Sequence, residues 1–531
     1  MGIEARYNVV GAGLAGLSAA ITLAEAGCKC NLISLQSSYR AQSVLAEGGI
    51  NAALNTMGEG DSVQNHYLDT MRGGCYLAAP RDVESLTEHA PEMVAWLAGL
   101  GVPFNMKDGK IEQRNFGGQK KKRTAFAQSS TGKMLMTALI DEARRYEAAG
   151  LITRYQHHNL VDLAAKDGAC YGVILEDTFT HNLVPLAGAT VLATGGLNGF
   201  FEGYTTGTTQ NTGDAAAMLF AGGVRFANLE FIQYHPTTVS IAGKRMLVSE
   251  AARGEGGRLF VLREGKPWYF MEEKYPELGN LMPRDVVSRE SYYVGKEYGA
   301  VYLDMRGLSP DVWQRKLSDL REEIQHYLHI DPAVTPIEVS AGIHFFMGGI
   351  WVDSRHQTSF AHLYAAGECA CIYHGANRLG GNSLLGAVWG GKVAAMSAIE
   401  DGCGEAAMSI PASLCHTAPK FPSASFNAQL TEALLSGLCI VRDEAGLKAA
   451  LERVSALSKT ENATERARAY LAQGMLLAAL ARKESRGAHI REDYPDTDDH
   501  YRATTLVAYD EEKGVNVEFA PIGAQKGDTL A

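Results

Sequence analysis

Tyr7-Asn8-Val9-Val10-Gly11-Ala12-Gly13-Leu14-Ala15-Gly16 runs from a short apolar strand directly into a glycine-rich turn. Beyond it Leu14, Leu17, Ile21 and Ala24 recur at helical spacing, Gly27 stands where a left-handed helix cap is expected, and Cys30-Asn31-Leu32-Ile33 resumes as a strand. The stretch predicts a βαβ unit. In such a unit Gly11, Gly13 and Gly16 allow a tight turn, close approach of backbone to a pyrophosphate, and close packing of helix on strand. The phosphate sits at the helix N-terminus, where free amides and the dipole favour an anion. Three glycines at this spacing mean little alone; their place between strand and helix makes them a dinucleotide site. The acidic ribose ligand expected at the end of the second strand is replaced by Ser34, which offers a hydrogen bond without charge.

Two later segments leave strands in the same way, Thr190-Val191-Leu192-Ala193-Thr194-Gly195-Gly196 and Leu363-Tyr364-Ala365-Ala366-Gly367-Glu368. They read as further strands of one parallel sheet assembled from distant parts of the chain. Between 231 and 343 the texture changes to longer charged stretches, as in a domain inserted into the sheet domain. From 404 a stretch with Pro411, Pro419 and Pro422 reads as a linker, followed by amphipathic helical patterns over 427–440, 444–457 and 464–483 and a polar tail with one strand, Val515 to Phe519. Ala46-Glu47-Gly48-Gly49-Ile50-Asn51 and Asn211-Thr212-Gly213-Asp214 would bring backbone against a flat ring system, and neither belongs to a plain nicotinamide dehydrogenase. The expected architecture is therefore α/β: a Rossmann-type FAD-binding domain over 1–230 and 344–403, an α+β capping domain over 231–343, and a C-terminal helical domain with a tail over 404–531.

Composition narrows the function classes. At 531 residues, with 46% apolar and 21% charged, the chain has material for two or three cores. A net charge of -11 argues against a nucleic-acid partner. The dense basic run Lys120-Lys121-Lys122-Arg123 is short and reads as a solvated loop face. Nine cysteines show no disulfide framework; the pairs Cys28/Cys30 and Cys369/Cys371 have one intervening residue, and no four-ligand zinc or iron-sulfur set appears, so no metal is expected. No stretch is apolar enough to cross a bilayer, and the N-terminus enters a strand without a leader pattern. The expectation is a cytoplasmic protein, or one held on a membrane face through a partner.

The remaining motifs resemble the flavoprotein subunit of the succinate dehydrogenase and fumarate reductase family. They are Gln233-Tyr234-His235-Pro236-Thr237, Ser249-Glu250 through Arg253-Gly254-Glu255-Gly256-Gly257, Pro283-Arg284-Asp285, His344-Phe345-Phe346-Met347-Gly348-Gly349 and the run from His374-Gly375-Ala376-Asn377-Arg378 to Leu379-Gly380-Gly381-Asn382-Ser383. Glu484-Ser485-Arg486-Gly487-Ala488-His489 fits too, so the resemblance spans nearly the whole chain. L-aspartate oxidases share several of these blocks. Met347-Gly348-Gly349-Ile350 and Leu379-Gly380-Gly381 are closer to the dicarboxylate reductases.

A dicarboxylate needs cationic or donating groups at each end, and His235, His344 and Arg378 supply them, Arg378 best because its planar fork donates two parallel bonds. Either histidine alone reads as an ordinary core residue; their joint occurrence with Arg378 reverses that. The resemblance implies that Ser249 stands for the family's threonine, Phe116 presses on the substrate, Arg284 delivers the proton, and Glu250 and Arg253 reload it. It also places Gln42, Ser43, Gly48, Gly49, Asp214, Glu368, Asn382, Ser383 and Leu384 around FAD, has Arg486 and His489 help close the site or the subunit contact without a catalytic role, and implies an iron-sulfur partner, often on a membrane anchor. One departure stands out: Gln42 occupies the position where the family commonly carries a histidine bonded to the flavin. An amide is not such a nucleophile, so noncovalent FAD is expected, with the reductive direction favoured.

Overall fold

The computed structural model describes residues 6–402, 410 and 421–525. Arg6–Val10 is the middle strand of a five-stranded parallel sheet in the order Leu363–Ala365, Ala189–Leu192, Arg6–Val10, Lys29–Ser34, Ile152–Gln156. Tyr7 pairs with Ala189 on one side and Cys30 on the other, which joins segments far apart in sequence. The helix Leu14–Glu25 that follows is apolar nearly all round, and such a helix must be covered on every side. It lies among the sheet, the helix Asn382–Glu400 and the helix Thr131–Ala148. Backbones meet there at close range: a Cβ on Gly391 would lie 2.3 Å from the Ala15 carbonyl oxygen, and one on Gly16 would lie 1.8 Å from that of Gly11. An antiparallel sheet of three, His158–Lys166, Ala169–Asp177 and Leu183–Ala187, extends this domain.

A six-stranded sheet forms the second layer, in the order Lys244–Leu247, Ile232–Ile241, Ile337–Phe346, Val301–Asp304, Arg258–Arg263, Lys266–Trp268. Its own core includes Val248, Leu259, Val287, Leu303, Trp313, Leu320 and Ile337. This is the cap. The strand Ile337–Phe346 runs through position 343/344, so His344 stands on a cap strand.

The three later helices, Ala424–Gly437, Glu444–Leu457 and Ala463–Ala481, start at Ser423, Asp443 and Asn462, each of whose side chains accepts an amide hydrogen of the first turn. Pro422 precedes the first of these caps; Pro411 and Pro419 lie outside the described residues. The tail carries two strands where one was expected. Thr504–Asp510 and Gly514–Ala520 form a hairpin, and the first pairs with Phe226–Ala227 in a sheet that also holds Gly349–Trp351 and Ala370–Cys371.

The basic run also differs from its sequence reading. Arg123 is fully buried, with Nη2 2.9 Å from Asp61 and 2.8 Å from Asp69, because two carboxylates offset the cost of removing one guanidinium from water. Among the described residues every cysteine is a free thiol, no cluster of side chains is arranged to hold a metal, and no helix is long and apolar enough to cross a membrane.

Candidate active site

A cavity of about 710 Å³ opens between the carboxyl ends of the parallel strands and the cap. Both the position and the size are usual for a cofactor with its substrate. At the sheet end it is lined by Gly11, Gly13, Ser34, Gln42, Ser43, Gly48, Gly49 and Glu368, with Ser383 and Leu384 from the first turn of Asn382–Glu400. Toward the cap stand Phe116, His235, Ser249, Glu250, Arg284, His344 and Arg378.

Four expected residues lie behind this wall. Gly16 serves helix packing, and Arg253 backs Glu250. Asn382 accepts a hydrogen bond from Asn51 at 2.7 Å, lies 3.0 Å from His66 Nε2, and donates to Thr70 at 3.0 Å, so it steadies a helix end. Asp214, expected against the cofactor, is the first residue of the helix Asp214–Ala221, where a carboxylate complements the dipole, and it pairs with Arg468 at 3.3 Å. Arg486 and His489 are buried in the C-terminal region, on Glu484 and Arg442 respectively, away from the cavity lining.

The sheet end fits a dinucleotide. The first amides of Leu14–Glu25 have no partners within the helix and face a glycine turn. Ser34 Oγ, at the end of its strand, is buried and has no partner, as a ribose-facing hydroxyl would be before a ligand binds. Glycines keep the wall thin: a Cβ on Gly48 would lie 2.6 Å from Phe116, and one on Gly196 would lie 2.5 Å from Glu368. Gln42 Oε1 accepts the Thr208 amide hydrogen at 2.5 Å.

The cap end is built on Ser249–Glu250 and Pro283–Arg284, each pair opening a helix. Ser249 caps Glu250–Gly254, and Pro283 caps Arg284–Tyr298, so Glu250 and Arg284 are both first-turn residues facing one another. Arg284 donates to Glu250 Oε2 from Nη2 at 2.6 Å and from Nε at 3.0 Å, and to Gln233 Oε1 from Nη1 at 3.1 Å. Arg253 donates to the other oxygen, Glu250 Oε1, at 2.9 Å and to the Asn280 carbonyl at 2.6 Å. An unbroken line of hydrogen bonds thus runs Arg253–Glu250–Arg284. Gln233 closes the group by donating to the Arg378 carbonyl and to Asn377, both at 2.8 Å. Arg378 lies over Phe345, 4.4 Å from the ring centre, and donates to Ser383 Oγ at 3.0 Å, while its Nε is buried without a partner. The His235 and His344 rings are 5.0 Å apart; His235 Nε2 is buried without a partner, and His344 Nδ1 lies 2.8 Å from Thr206 Oγ1.

Charge in this region is unbalanced. Burial opposes ionisation of Glu250, yet Arg284 and Arg253 outweigh it and hold its carboxyl at about 2. Burial, then Arg284, pulls the Arg378 guanidinium well below its usual range, and the same two causes keep both histidines neutral. Burial pushes Glu368 up to about 7, against the pull of the Phe346 amide and Arg378. Arg253 and Arg284 both bond the firmly ionised Glu250, and Arg378 stands near them beside Glu368, whose carboxyl burial holds back from ionising, so positive charge exceeds negative and suits an anion.

Gln233, Thr206 and Arg114 were not singled out from sequence. Arg114 donates to the Gly48 carbonyl at 2.5 Å and shapes the turn. Gln233 was within reach, since it sits two residues before His235 on the same strand, on the same side. Thr206 lies in a loop whose spacing carries no such signal.

A Rossmann cradle that opens onto a cavity ending in a buried Arg–Glu–Arg line defines a dinucleotide-dependent oxidoreductase. Residues 8–384 match a family model described as an FAD binding domain, and residues 466–527 match one described as Fumarate reductase flavoprotein C-term. The chain is 37% identical to the succinate dehydrogenase flavoprotein subunit of Bacillus subtilis, over 94% of this chain and 93% of that one. It is 34% identical to the fumarate reductase flavoprotein subunit of Mycobacterium tuberculosis, over 98% of each. An E. coli quinol fumarate reductase chain superimposes with a TM-score of 0.88 at 29% identity, covering 100% of this chain and 99% of that one. The chain belongs to the fumarate reductase and succinate dehydrogenase flavoprotein family, and its cofactor is FAD.

Proposed function

We propose that this subunit interconverts fumarate and succinate and favours fumarate reduction. The observation that carries the reading is the surplus of buried cations around a cavity that also presents His235 and His344. A dianion with carboxylates at both ends is the partner that surplus suits. Arg378 grips one carboxylate, and the histidines donate to the substrate; each charged hydrogen bond contributes about 1.5 to 3 kcal/mol. Ser249 keeps a hydroxyl on the wall, and Phe116 covers the substrate beside Gly48.

Reduction adds a hydride to one alkene carbon and a proton to the other; when FAD is bound, the hydride chemistry is the flavin's. The proton comes from Arg284. Arg284 is held for that role by its two hydrogen bonds to Glu250, at 2.6 and 3.0 Å, and one to Gln233 at 3.1 Å. Glu250 then returns a proton drawn through Arg253 along the line of hydrogen bonds at 2.9 and 2.6 Å.

FAD is held without a covalent bond, since Gln42 offers an amide already engaged with Thr208. Electrons reach the flavin through a partner, for which an iron-sulfur protein on a membrane anchor is proposed. A solved relative titled quinol-fumarate reductase, in which a quinol is the electron carrier named, supports electron delivery from outside this subunit. The test is anaerobic: FAD-loaded protein with a reduced low-potential dye should convert fumarate to succinate. No turnover of fumarate or any close unsaturated acid refutes the reading.

A further inference from the structure

His344 can hold a carboxylate only as a donor, and a neutral imidazole has one N–H to place on either nitrogen. Nδ1 lies 2.8 Å from Thr206 Oγ1. We infer that Thr206 is a positioning residue: by donating its hydroxyl hydrogen to Nδ1, it keeps the proton of His344 on Nε2, the nitrogen left for the substrate.

The direction of that bond follows from what else the hydroxyl can reach. Its alternative acceptor is the Ile343 carbonyl, at 3.4 Å. That oxygen already accepts the Thr206 amide hydrogen at 2.9 Å. A hydroxyl has one hydrogen, and the nearer, unclaimed acceptor is the imidazole nitrogen. His235 is placed differently: the Thr237 hydroxyl lies 3.3 Å from its Nδ1 but donates its one hydrogen to the Val248 carbonyl at 2.8 Å, and the same Nδ1 lies 3.3 Å from the Thr237 amide, a donor, and 3.1 Å from the Thr237 carbonyl, an acceptor.

The loop around Thr206 is fixed at several points. Thr205 Oγ1 accepts from Asn198 at 2.8 Å and from the Gly207 amide at 3.0 Å, and Ile343 donates back to the Tyr204 carbonyl at 3.0 Å. Gln42 holds the Thr208 amide. A Cβ on Gly207 would lie 1.9 Å from the Asn198 side-chain amide, so any larger residue here displaces Asn198. The same ties join the cofactor wall at Gln42 to the substrate wall at His344.

The inference rests on the dicarboxylate reading of His344, and the test separates the two. Succinate is titrated into FAD-loaded protein and followed by the change in flavin absorbance, with fumarate turnover measured in parallel. Thr206→Val, which keeps the shape and removes the hydroxyl, should weaken succinate about tenfold or more and raise KM for fumarate by a similar factor, with a much smaller change in kcat, as for a lost charged hydrogen bond in binding. Thr206→Ser should stay within about twofold of the native protein, the range left by a retained hydroxyl. In a His344→Ala background, Thr206→Val should add almost nothing, because the residue acts through His344. Equal losses in Thr206→Val and Thr206→Ser, full additivity with His344→Ala, or unchanged binding in Thr206→Val overturn the role of Thr206 alone. No succinate binding by the native protein removes the dicarboxylate reading and this inference with it.

Discussion

Arg284→Lys tests the proton route most directly, because it keeps the charge and removes the fork. Arg284 makes two contacts to Glu250 Oε2, at 2.6 and 3.0 Å, and one to Gln233 at 3.1 Å. A lysine ammonium, shorter and without the planar fork, keeps at most one of them in this geometry. Glu250 is not stranded, since Arg253 still donates to its other oxygen at 2.9 Å. The stability cost is therefore about 3 to 6 kcal/mol, the loss of two charged bonds and not of a whole buried pair. A domain in the middle of the usual ~5 to 15 kcal/mol range survives that. Turnover should fall much further, by ~10²- to 10⁴-fold, the usual contribution of a positioned acid. Succinate binding, read from the flavin spectrum, should weaken less than about tenfold because the surplus of positive charge remains. If binding weakens as much as kcat falls, Arg284 is a binding residue; if kcat is unchanged, it is neither.

Three further outcomes concern the cofactor and its surroundings. After acid precipitation the yellow flavin should appear in the supernatant, and flavin that stays with the pellet would refute noncovalent attachment; with matched dyes, fumarate reduction should outrun succinate oxidation, and the reverse would show that the surrounding site rather than the missing bond sets the direction. Glu368, whose carboxyl is raised from 4.5 to about 7, keeps its proton in the folded state over a range where the unfolded chain has lost it, so FAD-free protein should lose stability as pH rises from 4.5 to 7, by at most about 3 kcal/mol. Glu368→Gln should flatten that slope in denaturant unfolding at pH 5 and 8, and an equal slope in both proteins would contradict the assignment.

The parts legible in the sequence were those where one residue type answers one local demand. Gly11 and Gly16 each touch backbone so closely that only a missing Cβ fits, and the helical period from Leu14 to Ala24 records a helix covered on all sides. The line of hydrogen bonds through Arg253, Glu250 and Arg284 joins two sequence motifs: Glu250 and Arg284 each open a helix, and Arg253 lies one turn after Glu250. Asp214 lies off the cavity lining, where an acid at a helix start has a local cause in the dipole and in Arg468. The second tail strand, Thr504–Asp510, pairs along its whole length with Gly514–Ala520 and meets Phe226–Ala227 at two residues, and its hairpin turn, Glu511-Glu512-Lys513, lacks the Asn-Gly or Asp-Gly pair that marks a hairpin in sequence. The Thr206 hydroxyl matters only because Ile343 and His344 arrive beside it from another strand, and the chemistry of that contact lies in which acceptor is already taken, a fact that exists in space and not along the chain.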